Sequence, residues 1–232
     1  MKKGKLIVIE GSDGAGKTTQ LGLLKAYLDS AELPVESVDF PRYYDSFYGK
    51  MIANFLRGEY GPLDTVNPYL ISIVYAADRG SAAPEMHKWL KEGKIILSNR
   101  YATSNLAHQS GRIAPLKRKA FIQWDLELEY EVNNIPKEDV VIFLHVPVSV
   151  SLMLMKNNDR KGRAYMKGKK DMVEKDTTYL KKSEEAYLSL VRKFPHWVKI
   201  ECVDNDGNLR TREDIHEEVK KVLANKGILD VK

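Results

Sequence analysis

Residues 11–18 read Gly-Ser-Asp-Gly-Ala-Gly-Lys-Thr, a full match to G-x-x-x-x-G-K-[ST]. The chemistry on offer is phosphate binding. The glycines let backbone N–H groups turn toward phosphate oxygens, Lys17 reaches the β and γ phosphates, and the Thr18 hydroxyl can ligate Mg²⁺. An apolar run precedes the loop and a helical stripe follows it, the context a nucleoside-triphosphate site requires; the helix adds its positive N-terminal end. Gly11, Ser12, Asp13, Gly14, Ala15, Gly16, Lys17, Thr18 and Thr19 are the candidate ATP-binding residues.

Two arginines stand just beyond other strand-like runs, Arg42 in Phe40-Pro41-Arg42-Tyr43 and Arg100 in Asn99-Arg100-Tyr101. A guanidinium offers a fork of donors that fits a phosphate. Either arginine alone is an ordinary surface cation. Two of them on one rim with Lys17 suit a second phosphate group, and two facing phosphates imply phosphoryl transfer between nucleotides.

To share a rim, these residues need a parallel sheet. Five runs rich in β-branched residues supply it: Leu6–Ile9, Val35–Phe40, Ile95–Leu97, Val140–Val146 and Val198–Val203. The first, third and fourth are almost continuously apolar, as strands buried on both faces are. The other two alternate with polar residues and fit the edges. Glu10 marks the expected end of the first run. Apolar stripes between the runs predict helices at Leu21–Leu24–Leu28–Ala31, after Asn67-Pro68, over Glu85–Lys91, at Phe121–Trp124–Leu128–Val132 and at Tyr179–Leu180–Tyr187–Val191. The expected architecture is α/β, a five-stranded parallel sheet flanked by helices, in one domain over 1–232. Ligands of such sheets bind beyond the carboxyl ends of the strands.

Composition narrows the partners. The 232 residues are 43 % hydrophobic and 30 % charged, ordinary for a folded chain, with a net charge of +5. Six of the 37 Lys and Arg fall within residues 160–170, where there is no Asp or Glu. The remaining chain holds 31 basic against 32 acidic residues, so there is no broad basic face and a nucleic-acid partner is not expected. Cys202 is the lone cysteine, which excludes an intrachain disulfide. The most apolar stretch, Val140 to Met155, is interrupted by His145, Pro147, Ser149 and Ser151 and falls short of the ~20 residues a spanning helix needs. No membrane association and a cytoplasmic location are expected.

These residues together resemble the thymidylate kinases, of the nucleoside monophosphate kinase group of P-loop proteins. The carriers are Gly11–Thr19 with Asp13 inside the loop, Phe40-Pro41-Arg42, Tyr75-Ala76-Ala77-Asp78-Arg79, and Asn99-Arg100-Tyr101 followed by Ser104-Asn105. The similarity runs from Lys5 to about Val203, with a basic lid at about 159–175. The resemblance implies transfer of the ATP γ-phosphoryl group to dTMP with Mg²⁺ present, and a homodimer. By residue, it implies that Arg42 and Arg100 hold the acceptor phosphate and that Asp13 accepts from the sugar 3′-hydroxyl. Tyr75 would stack on the base, Arg79 would donate to a thymine carbonyl, and Asn105 and Gln109 would read the base edge. Phe40 and Ser104 join the substrate set, and His108 stands where some relatives have a tyrosine near the 2′ position. Tyr75 and Arg79 are i,i+4 neighbours, so ring and guanidinium can address one base together. Ala15 replaces an arginine that some members carry, which makes Arg160 and Arg163 of the lid the expected cations on the transferring group. Lys167, Lys169 and Lys170 read as solvated. Glu174 is expected to act on a Mg²⁺-bound water, and Asp204-Asn205-Asp206-Gly207 to contact adenine.

One position departs from the family. Asn99 stands where an aspartate is usual, so the metal set Thr18, Asn99 and Glu174 has one neutral member. An amide cannot take a proton. A nucleoside hydroxyl needs a base to attack, whereas a monophosphate, with a second pKa of about 6, is already mostly dianionic at pH 7. Asn99 therefore favours a monophosphate acceptor. The alternatives are a deoxynucleoside or other pyrimidine monophosphate kinase, or a catalytically weakened regulatory relative.

Overall fold

The computed structural model describes residues 3–157, 164–169 and 171–229. In chain order, β1 (Lys5–Gly11) leads through the Gly-rich loop into α1 (Lys17–Ser30), and β2 (Val35–Asp39) precedes α2 (Phe47–Leu56), α3 (Pro68–Gly80) and α4 (Ala83–Lys91). Then come β3 (Ile95–Asn99), α5 (Ala102–Ser110) and α6 (Pro115–Leu126), which runs on as a π-helical turn at Glu127–Val132. β4 (Val140–His145), α7 (Val148–Asn157), a 3₁₀ turn at Ala164–Met166, α8 (Met172–Lys175), α9 (Thr177–Lys193), β5 (Trp197–Glu201) and α10 (Arg212–Asn225) complete the order.

The strands form one parallel sheet in the order β2-β3-β1-β4-β5. The alternating runs are at its edges and the continuously apolar ones inside, because only inner strands are covered on both faces. One face packs Leu24 and Leu28 of α1 and Val219 and Leu223 of α10 against Ile7, Ile9 and Ile142. The other packs Met86, Leu106, Tyr187 and Leu190 against Leu6, Val8, Val141 and Phe143. A smaller cluster joins Ile52 and Phe55 of α2 to Ile71 of α3 and to Met166.

Local chemistry sets the helix starts. Asn67 caps α3 by accepting from the Tyr69 N–H at 2.9 Å, with Pro68 in the first turn as expected. Ser46, Asp176 and Thr211 cap α2, α9 and α10 in the same way. Two expectations are corrected. Ala31 is exposed beyond the end of α1 rather than on its apolar stripe. Glu10 does not end β1: the strand runs through it to Gly11, and Glu10 is completely buried because four protein groups donate to it.

Candidate active site

The carboxyl ends of β1, β2 and β3 open into a cavity of about 1020 Å³. Residues 12–14 and 16–19 line it together with Phe40, Arg42, Tyr75, Arg79, Asn99, Arg100, Ser104, Asn105, His108 and Gln109. The fold therefore brings the expected phosphate and base residues to one place. Gly16, at φ 86°, makes the turn into α1 in the left-handed region that glycine adopts without strain. Lys17 is nearly buried, donates to the Gly11 and Ser12 carbonyls at 3.0 and 2.9 Å, and lies 3.7 Å from the Asp13 carboxylate. Burial, and then the Arg100 charge, push its ammonium down to about 8. Ala15 is absorbed into the core beneath the loop.

Arg100 is the hub. Its guanidinium donates to Asp13 Oδ1 at 2.7 Å, Ser104 Oγ at 3.3 Å and His108 Nε2 at 3.2 Å, and it lies 3.8 Å from Glu10. Its backbone has φ 63°, which an L-residue holds only when its surroundings insist. The insistence comes from Arg100 N–H on the Ile9 carbonyl, Ser98 Oγ on the Arg100 carbonyl, and the next N–H, of Tyr101, on Glu10. Glu10 also accepts from the hydroxyls of Thr103 (2.5 Å), Ser104 (2.8 Å) and Tyr187 (2.8 Å). The buried glutamate thus holds the start of α5 against β1, and Arg100 with it.

Arg42 is tied to α3. Its N–H and Nε donate to the Asp78 carboxylate at 2.9 and 3.3 Å, and Nη2 donates to the Asp78 carbonyl at 3.0 Å and to Ser81 Oγ. The Arg42 carbonyl in turn lies where Gly49 has no side chain; a Cβ there would sit 2.0 Å from that oxygen. Phe40 is buried and packs against the Tyr101 ring at 5.8 Å.

His108 accepts from Arg100 through Nε2, so its proton is on Nδ1, which donates to the Tyr179 hydroxyl at 2.9 Å. Burial and Arg100 push its pKa down to about 3, so the ring is neutral. Gln109 accepts from Arg112 at 2.8 Å. Arg79 is almost completely buried, with Nε and Nη2 donating to Glu129. Asn105 donates to Asp125 at 2.9 Å. Asp125 and Glu129 carry no local motif and were missed by the sequence reading, as were the role of Glu10 and the tie from Asp78, which lies in the Tyr75–Arg79 motif, to Arg42.

Further along, Tyr165 stacks on Tyr43, the rings 3.8 Å apart at 7°, while Arg57 donates to the Tyr165 carbonyl. Lys167 and Lys169 are exposed, as a solvated reading expects. Arg160, Arg163 and Lys170 lie outside the described residues, and so does the Glu174 side chain. Asp204 is occupied with its own loop, accepting from the N–H groups of Asp206 and Asn208.

The residues present fit a Mg²⁺ ion. Asn99 Oδ1 and Ser12 Oγ are buried oxygens without a hydrogen-bond partner among the described residues, and Thr18 lines the same cavity. Asp39 is in register with Asn99 on the neighbouring strand, so its carboxylate leaves the same face of the sheet.

The sequence profile of the family described as "Thymidylate kinase" matches residues 9–219. The chain belongs to the thymidylate kinase family. The activity of that family is phosphorylation of dTMP to dTDP. Among similar proteins, a probable thymidylate kinase of Thermococcus onnurineus is 32 % identical over 92 % of this chain and 94 % of its own length. A thymidylate kinase of Prochlorococcus marinus is 29 % identical over 97 % of this chain and all of its own length. The solved structure of thymidylate kinase from Candida albicans shares the fold, with a TM-score of 0.72 and 18 % identity over 99 % of this chain and 96 % of that one. Among the described residues, no helix is long and apolar enough to cross a membrane.

Proposed function

We propose that this thymidylate kinase binds ATP on the Gly11–Thr19 loop and dTMP between the ends of β2 and β3 and helices α3 and α5. One observation carries the reading: a single cavity holds the triphosphate loop, two arginines from different strands, and the Tyr75–Arg79–Asn105 group that suits a base. Arg100 and Arg42 hold the acceptor phosphate, each giving up an internal carboxylate contact for a dianion of higher charge. Asp13, bonded to Arg100, is placed for the sugar hydroxyl. Lys17 stabilises charge on the β and γ phosphates.

No protein base is required, because the attacking phosphate oxygen is already ionised. Glu10 is the carboxylate nearest in role to a base, and its oxygens are taken up by four donors. Asn99, Thr18, Asp39 and Glu174 are the residues that would hold Mg²⁺, directly or through water. When bound, that ion neutralises charge on the phosphates and orients them. Arg160 and Arg163 add charge to the transferring group, which suits a loop with Ala15 in place of arginine. Family membership supports a homodimer, and Leu70 and Ile73, exposed one turn apart on α3, offer an apolar face for it. Sedimentation at micromolar concentration should give twice the 26.5 kDa chain mass.

A coupled assay with ATP, Mg²⁺ and a panel of nucleosides and their monophosphates tests the function. Turnover is expected with dTMP and not with thymidine. Preference for a nucleoside, or no turnover with any acceptor, would overturn the reading.

A further inference from the structure

Two buried carboxylates on one helical segment stand directly behind the base-facing residues, outside the cavity. Asp125 is near the end of α6 and Glu129 one turn on, inside the π-helical stretch. Both are completely buried. Each holds a different side chain of the cavity wall, Asp125 the amide of Asn105 on α5 and Glu129 the guanidinium of Arg79 on α3.

The Asn105 amide has only one workable orientation. Its Nδ2 donates to Asp125 Oδ1 at 2.9 Å and to the Ser72 carbonyl at 3.4 Å. That carbonyl can only accept, so turning the amide over would set oxygen against oxygen. Both amide hydrogens are therefore committed. Oδ1 is buried and has no hydrogen-bond partner among the described residues. An orphaned acceptor in the wall of a ligand cavity calls for a donor from the ligand. Glu129 restricts Arg79 in the complementary sense. With Nε and Nη2 engaged, Nη1 is left as a donor uncommitted among the described residues.

We propose that Asp125 and Glu129 are positioning residues that fix the polarity of the base pocket, one acceptor at Asn105 Oδ1 and one donor at Arg79 Nη1. This proposal rests on the dTMP kinase reading and deepens it. Thymine and uracil carry an N3–H donor beside the O4 acceptor and match this pair. Cytosine carries an N3 acceptor beside a 4-amino donor and opposes it at both points. Rejection is strong in such a site because the wrong base leaves buried groups unpaired. Asp125 exerts its control through the hydrogen bond its Oδ1 accepts from the Asn105 amide; burial and the adjacent Glu129 hold its carboxyl well above the usual range.

The test compares kcat/KM for dTMP, dUMP and dCMP in the full-length wild-type protein and in Asp125→Leu, Asp125→Ala and Asp125→Asn. The wild type should prefer both dTMP and dUMP to dCMP. In the Leu and Ala variants the Asn105 amide is released, and the dTMP-to-dCMP preference should fall about tenfold or more, with the KM for ATP unchanged. Asp125→Asn keeps an oxygen toward Asn105 and should retain the preference to within about threefold. Folded Leu or Ala variants with wild-type preference would overturn the proposal. If neither folds, Glu129→Ala, which leaves Arg79 Nε and Nη2 without their acceptor, is read by the same ratio: a fall in preference supports the proposal and an unchanged one overturns it. A wild type that turns over dTMP but prefers dCMP equally refutes the proposal alone; one that fails on every monophosphate refutes the functional reading beneath it.

Discussion

At the residue scale, the site is governed by what its charged groups are already bonded to. Lys17 illustrates this: burial and Arg100 lower it to about 8, so the fraction carrying charge drops as pH rises through that value. ATP affinity should be flat from pH 6.5 to 7.5, and the Kd should rise toward about tenfold per pH unit above 8. Calorimetric titration of ATP against pH reads this out, and Lys17→Ala should remove the bend. His108, neutral down to about 3, contributes no step in the same range. Asn99 presents a buried acceptor with no partner among the described residues. Asn99→Asp should keep or raise kcat and lower the half-saturating Mg²⁺ concentration several-fold; a large drop in activity would refute its place at the metal. The motif residues were legible from sequence because backbone and phosphate geometry demand them at fixed spacing. Asp125 and Glu129 were not, nor was the partner of Asp78, because a carboxylate on a helix looks solvated until its partner from another element is known.

At the scale of elements, β1 and α5 are joined through one buried carboxylate. Removing it in Glu10→Ala strands the Tyr101 N–H and the hydroxyls of Thr103, Ser104 and Tyr187, and leaves Arg100 with less compensation. The expected loss is about 3–5 kcal/mol in urea unfolding. Glu10→Gln keeps an acceptor and should lose about 1–2 kcal/mol. A loss below ~1 kcal/mol in the alanine variant would show that the contacts are dispensable. Sequence periodicity read Glu10 as a boundary because a charge inside an apolar strand is unfavourable unless paired. Its partners come from α5 and α9, some 90 and 180 residues away along the chain. All five strands were read to within two residues at each end, the inner ones because burial on both faces leaves an apolar run.

At the scale of the whole molecule, the +5 charge is largely a property of residues 160–170 and not of the surface at large. If Arg160 and Arg163 act on the transferring group as proposed, alanine at both should lower kcat at least tenfold while the KM for dTMP changes little. An unchanged kcat in stopped-flow turnover would remove the lid from the chemistry. The sequence by itself determined the α/β class, the edge and inner strands, the phosphate loop and the family, because these follow from short-range periodicity and from motifs set by backbone geometry. Only the tertiary structure decided which way the polar side chains face. It placed Glu10 behind Arg100, Asp78 behind Arg42, and Asp125 and Glu129 behind Asn105 and Arg79. The physical reason is that a buried polar group is defined by its partners, and those are brought together by packing rather than by proximity in the chain.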